Sequence, residues 1–345
     1  MTTPVLDTRK CKVLEAIVDC YHRTAEPVSS RAIARHYGMG LSAATIRNTM
    51  ADLEELGYVA QPHTSAGRIP TRLGYRVYVD RMMTAQELTP KEKQFIRERS
   101  ASANHDFEEI MEQTSRILSE ISHYIGVVLS PELHEGILRR LEFIPIDDEK
   151  VLAILLMASG VVKSQVVPIS KDLSNENIHQ ISRILNEKLV GLPLKKIRQI
   201  SQDPVQLKAI FDHHLSAPAA AVTRRTFSLD QEIHVYLDGT SNFFSQPEFL
   251  EVQKIEPLFR VLERKDQIAN ILSPQGKDRE IQILIGSESR CEGMELCSVV
   301  RSSYHTQGNQ FGTIGVIGPT RMEYSRVVSI VKFTAQVISQ LFENV

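Results

Sequence analysis

Along the first part of the chain apolar residues recur at helical spacing, and the period is cut repeatedly by residues that end helices. In residues 8–21, Leu14, Ile17, Val18 and Tyr21 fall on one helical face. Glu26-Pro27-Val28 stops that run, because proline lacks a backbone donor and restricts the residue before it. Ser29 or Ser30 can cap a second helix over residues 31–37, closed by Gly38. Met39-Gly40 forms a tight turn, and Ser42 caps a third helix with Leu41 and Ile46 spaced as a hydrophobic staple. Ile46, Met50 and Leu53 make its inner stripe, and Gly57 stops it. The period then shortens: residues 58–61 and Arg68-Ile69 read as two short strands around a turn-rich loop. Three helices followed by a small hairpin predict a winged helix-turn-helix.

Further on, residues 73–83 extend as a helix, and Leu88-Thr89-Pro90 marks a linker or a capped restart. A long amphipathic helix is expected over residues 107–125, with Phe107, Ile110, Met111, Ile117, Leu118, Ile121 and Ile125 in period. Strands follow at 137–146, 151–158 and 161–169, the last two forming a hairpin about Ser159-Gly160. Residues 173–229 return to helix, with Ile178, Ile181, Leu185 and Leu189 as one stripe and Asp203-Pro204 starting a helix that carries Leu207, Ile210 and Phe211. A strand at 233–237, a helix over 247–272, strands at 281–286, 295–301 and 311–317, and a last helix from Glu323 complete the series. Helices interrupting a strand series imply an α+β domain with a helical insertion.

Composition narrows the class. Of 345 residues, 42% are hydrophobic and 24% charged, as in a soluble globular protein. The longest apolar run, from Val151, is shorter than the roughly 18 residues of a membrane span. The first residues lack a signal-peptide pattern, so a cytoplasmic protein is expected. Cys11, Cys20, Cys291 and Cys297 form no C-x-x-C pair and have no histidine at zinc spacing, so they read as free thiols. The net charge of −2 is uneven: residues 1–85 hold 11 Lys+Arg against 8 Asp+Glu, the rest 29 against 34. A mildly basic N-terminal part can grip phosphates without making the whole chain basic.

The candidate chemistry lies there. A recognition helix needs short polar or flexible side chains at its N-terminal end to reach base edges. Opposite Ile46 stand Ala44, Asn48 and Ala51, flanked by Thr45 and Arg47, with Ser42 at the cap. Arg47 suits guanine and Asn48 adenine, and the alanines permit close approach. The bland alternative is the solvated face of a three-helix bundle. The hairpin adds His63, Thr64, Ser65, Gly67, Arg68 and Thr71, with Arg72 and Arg76 close by. Hydroxyls, amides and arginines are what phosphate contacts use.

No catalytic set emerges. Gly312, Gly315 and Gly318 are wrongly spaced for a dinucleotide loop and run into Pro319. Adjacent His213 and His214 point about 100° apart on a helix and chelate poorly. The turn-rich 238–242 loop has no histidine base beside it. Neither an enzyme nor a cofactor or metal is expected.

The segments EPVSSRAIA, SAATIRNTMADLEELGY and QPHTSAGRIPTRLGYRVYVD, with YLDGTSNFFSQPEF and GVIGPTRMEY further on, closely resemble the HrcA family of heat-inducible transcription repressors. The resemblance runs over nearly the whole chain and is loosest over residues 170–230. It implies a winged helix joined to a GAF-like domain that contains an inserted dimerisation domain. The division it suggests is 1–85 for the winged helix, 86–172 for linker helices and the first part of the GAF-like domain, 173–230 for the insertion, and 231–345 for the remainder. It further implies a homodimer on double-stranded DNA, at the inverted-repeat operator CIRCE upstream of chaperonin and DnaK operons, with the GroEL chaperonin maintaining the active repressor. The alternative is a repressor gated by a small ligand in the GAF-like domain.

Overall fold

Each of the first helices starts where a short polar side chain accepts a backbone amide. Asp7 caps α1 (Thr8–Thr24), Ser29 caps α2 (Ser30–His36), Ser42 caps α3 (Ala43–Glu55) and Thr71 caps α4 (Arg72–Arg81). The computed structural model describes residues 6–64, 66–102, 106–131, 136–171, 173–211, 216–228, 234–273, 281–306 and 310–343. Between α3 and α4, β1 (Val59–Ala60) pairs antiparallel with β2 (Ile69–Pro70), and Val28 bridges to Arg68. This is the expected winged helix-turn-helix.

Thr89 and Glu92 form a capping box that starts α5 (Pro90–Ala101). The next helix, α6 (Phe107–Ser122), ends one turn earlier than its apolar period suggests, because His123 takes a left-handed conformation at φ 60°. Ile125, expected in that helix, instead opens β3 (Ile125–Leu129). Gly126 makes the reversal fit: a Cβ there would lie 2.0 Å from the Ser115 carbonyl oxygen.

The next segment builds a core of its own. Strands β4 (Leu138–Asp147), β5 (Lys150–Met157) and β6 (Val162–Pro168) form an antiparallel sheet in chain order. Over one face lie α7 (Asn175–Leu189), α8 (Leu194–Gln202), α9 (Pro204–Ile210) and α10 (Ser216–Phe227). Leu141, Phe143, Val151, Ala153 and Leu155 from the strands are buried with Ile178, Ile181, Leu185, Leu189 and Ile197 from the helices. Asn186 ties the layers together, accepting from the Leu141 amide at 2.9 Å and donating to its carbonyl at 2.6 Å. The expectation that 137–169 belong with the surrounding domain, and that the insertion begins at 173, is therefore corrected. The inner face of these strands is buried against α7–α10, so the unit runs from about residue 136 to 228.

The remaining strands make a five-stranded antiparallel sheet. β7 (Val235–Asp238), β3, β10 (Gln310–Pro319), β9 (Cys297–Thr306) and β8 (Gln282–Ile285) lie in that order. Val128, Ile314, Val316, Val300 and Tyr304 face α6 and the final helix α13 (Tyr324–Glu343). Val127, Leu129, Val299 and Ile317 face the other way, toward α11 (Val252–Leu262) and α12 (Lys265–Leu272). The single helix expected over 247–272 is thus a short 3-10 turn and two helices, parted at Glu263-Arg264. The class is α+β.

Leu185→Ala deletes a side chain with no exposed surface, and such truncations cost about 2–5 kcal/mol. Hydrogen exchange is expected to quicken across residues 136–228 while protection in α1–α3 stays as in the wild type. Uniform loosening of the whole chain would show that the second core is not a separate unit.

Candidate nucleic-acid interface

The geometry of α3 follows from its cap and its stripe. Ser42 Oγ accepts from the Thr45 amide at 3.1 Å and lies 2.9 Å from Thr45 Oγ1, so both side chains are engaged in holding the helix start. Ile46, Thr49, Met50 and Leu53 are buried, whereas Ala44, Arg47, Asn48 and Ala51 are exposed on the opposite side. No ion pair is recorded for Arg47 among the described residues. The exposed face therefore offers one guanidinium and one carboxamide between two methyl groups, where a base edge can approach. Behind it, the Tyr37 hydroxyl at the end of α2 donates to Asp19 at 2.6 Å and accepts from Arg23 at 2.8 Å. Burial, then Asp19, push the Tyr37 hydroxyl well above its usual pKa. This link fixes α2 on α1 and so sets the angle of α3.

The wing is held from three sides. Gln61 Nε2 donates to the carbonyls of Thr64 and Ala66, both at 3.0 Å, closing the loop from within. Val28 and Arg68 exchange two backbone hydrogen bonds of 2.9 Å. Gly67 lies so close to this bridge that a Cβ would sit 2.2 Å from the Val28 carbonyl oxygen. Arg68 then reaches Glu54 of α3 at 2.7 Å, tying the wing to the helix beside it. His63 and Thr64 stand exposed on the loop, and Ser65 lies outside the described residues.

Several residues expected as phosphate contacts have other work. Thr71 Oγ1 donates to the Gly57 carbonyl at 2.6 Å and accepts from the Gly74 amide at 3.1 Å, so it is a cap and a splint. Arg68 is the clamp on Glu54, with only 19% of its side chain exposed. Arg76 does not join the surface. Its guanidinium is engaged by Glu288 at 2.6 Å, Asp80 at 3.0 Å and the Ile283 carbonyl at 2.6 Å. Burial works against the Arg76 charge, but the two carboxylates outweigh it and its pKa lies above the usual value. Arg72 is 56% exposed and 3.6 Å from Glu288. Sequence reasoning missed Gln61, just after the first strand of the hairpin, and Glu54, in the last turn of α3; neither carries a signal beyond being polar.

With this geometry the similarities to known proteins carry weight. A family model described as the HrcA winged helix-turn-helix DNA-binding repressor domain matches residues 5–83, and one described as the HrcA C-terminal domain matches residues 108–328. The chain belongs to the HrcA family. Proteins named heat-inducible transcription repressor HrcA from Geobacter sulfurreducens and Pelotomaculum thermopropionicum are 39% and 38% identical to it over 340 residues, covering 98–99% of every chain. A crystal structure described only as a hypothetical protein shares the fold, with a TM-score of 0.61 at 21% identity over 99% of both chains. The HrcA winged helix is a DNA-binding repressor domain, so DNA is a partner of the segment 5–83.

Gly67→Ala forces a methyl group into the Val28 carbonyl, and overpacking of this kind costs about 1–3 kcal/mol. Urea unfolding is expected to show that loss, with weaker binding to specific and random DNA alike. Unchanged stability would mean that the wing backbone yields freely.

Proposed function

We propose that this chain represses chaperone operons by binding the CIRCE inverted repeat as a homodimer in the cytoplasm. The observation that carries the reading is the exposed Ala44-Arg47-Asn48-Ala51 face on a helix whose cap, stripe and wing are all fixed by other residues. In this reading Arg47 and Asn48 contact base edges. His63, Thr64, Ser65 and the exposed side of Arg72 contact the backbone. Ser42, Thr45, Arg68 and Thr71 hold the frame. Residues 1–85 are the reading head, and the GAF-like sheet with its helices is the body that carries it.

The homodimer is assigned to the inserted unit. Its sheet buries one face under α7–α10 and leaves the other uncovered, where Ile144, Leu152, Ile154, Leu156, Val162 and Val166 all stand outward. Val162 is 58% and Val166 55% exposed. Contiguous exposed apolar surface of this kind marks an association site. A second copy fits it because a two-fold repeat in DNA requires a two-fold protein. We assign to GroEL the maintenance of the DNA-competent fold. The heat-inducible behaviour in the relatives' names supports this, since a chaperonin occupied by heat-damaged proteins would leave the repressor unassisted.

Arg47→Ala and Asn48→Ala are each expected to cost about 1–3 kcal/mol of discrimination while leaving the oligomer intact. Footprinting on chaperone-operon promoters measures this. Equal wild-type binding to operator and scrambled DNA sinks the assignment.

Val166→Glu places a charge on the uncovered sheet face. Sedimentation is expected to show a monomer that has lost inverted-repeat affinity. A Val166→Glu protein that stays dimeric moves the interface elsewhere.

A further inference from the structure

The winged helix is joined to the rest of the chain by more than residues 82–89. Helix α4 lies against the end of β8, where a short 3-10 turn carries Glu288. One carboxylate there gathers three hydrogen-bond donors and a second guanidinium nearby. Oε1 accepts from Arg76 Nε at 3.2 Å and lies 3.6 Å from Arg72 Nη1. Oε2 accepts from Arg76 Nη2 at 2.6 Å and from the Ile285 amide at 2.9 Å. Both partners are largely covered, Arg76 at 27% and Glu288 at 22% exposure. A second bridge stands apart from the first. Arg321 donates to the His22 carbonyl at 3.0 Å, and its own carbonyl lies 2.8 Å from His22 Nδ1. The same guanidinium is held by Glu248 and by Gln246, the latter at 2.9 Å.

Covered ion pairs contribute little net stability, because desolvation offsets most of the attraction, but a two-pronged guanidinium–carboxylate pair is directional. A pair of this type fixes angle more than it adds free energy. Angle is what a dimer on an inverted repeat needs, since its two recognition helices must meet half-sites about one helical turn, or a multiple, apart.

We propose that Glu288 is a positioning residue for DNA recognition: by gripping Arg76 it locks the winged helix at a fixed angle to the body and so sets the separation of the two recognition helices. This rests on the reading of the chain as a dimeric DNA-binding repressor. Without the grip the shared apolar core and the Arg321–His22 bridge still hold the head on the body, but its angle is less sharply set, so each head still reads its half-site while the demand for one spacing weakens.

The test uses the full-length protein and duplexes carrying the CIRCE inverted repeat with its spacer intact, lengthened by five base pairs, or reduced to one half-site. Five base pairs turn one half-site by about half a helical turn, so wild-type affinity is expected to fall at least about tenfold. Glu288→Gln keeps the shape and removes the charge. It is expected to bind the half-site no more weakly than wild type and to show less than about a threefold difference between the two spacings. The charge swap Arg76→Glu with Glu288→Arg is expected to restore the spacing preference, and it decides the matter if Glu288→Gln fails to fold. Wild-type spacing dependence in Glu288→Gln, or a folded swap variant without it, overturns the proposal. A wild-type protein that ignores the inverted repeat altogether brings down the DNA reading itself, and this proposal with it.

Discussion

Whatever the recognition face can do depends on how α4 is seated, and that seat is made by Tyr75 against Tyr324. Their ring centroids are 5.9 Å apart, and neither side chain is more than 2% exposed. Tyr324 is anchored in turn by Ser298 on β9 at 2.7 Å and by the Thr320 carbonyl at 2.6 Å. Burial pushes both hydroxyls far above their usual pKa, so neither ring carries charge into the contact. On the other side of α4, Gly74 lets the Tyr58 carbonyl approach to where a Cβ would sit only 2.1 Å away. One apolar cluster therefore runs without a break from Leu14 and Ile17 of α1, through Tyr75, to Val327 and Val331 of α13. A head on a loose tether would have closed its own core at α4. This one shares its core with the body.

Much of this was legible in the sequence because it is written in local chemistry. Caps at Ser29, Ser42 and Thr89, the Ile46–Met50–Leu53 stripe and the stops at Gly38 and Gly57 are short-range signals, and each element they specify is present. Strand β3 was hidden because its apolar residues continue the helical period of α6. Only the left-handed turn at His123 and the close crossing at Gly126 separate the two elements. The insertion boundary was hidden for a different reason. Alternation in β4–β6 shows that one face is buried, but not which helices bury it, and that partnership spans some forty residues between Leu141 and Asn186.

The arginines give the sharpest contrast between composition and structure. Counted along the sequence, Arg68, Arg72 and Arg76 form a basic patch fit for phosphate. In space Arg68 meets Glu54, Arg76 meets Glu288 and Asp80, and Arg72 keeps one side open. Asp80 lies one turn along the same helix, but the other two acids come from a neighbouring helix and from a turn more than 200 residues away. Charge spacing cannot reveal such partners, because an ion pair is made by the fold and not by the order of residues. What stays exposed on the winged helix is a smaller polar surface, with Arg47 and Asn48 on α3 and the open side of Arg72.

That division bears on temperature. On the proposed reading, operator binding by a dimer needs the reading head seated, the sheet beneath it intact and the inserted unit paired, all at once. The head shares one core with one face of the sheet, the other face packs a second with α11 and α12, and the inserted unit has a third. Domain stabilities are typically about 5–15 kcal/mol, and unfolding becomes steeply favourable within a few degrees of its midpoint. The competent fraction is then the product of the folded fractions of the parts that unfold independently and falls faster on warming than that of any one part. Loss of the body core removes Tyr324, the ring against which Tyr75 of α4 packs. Loss of the inserted core leaves two heads that each read a half-site but no longer share one piece of DNA. On that reading, the requirement that every part be folded together is itself a source of heat sensitivity, since DNA binding falls faster on warming than the folding of any one part.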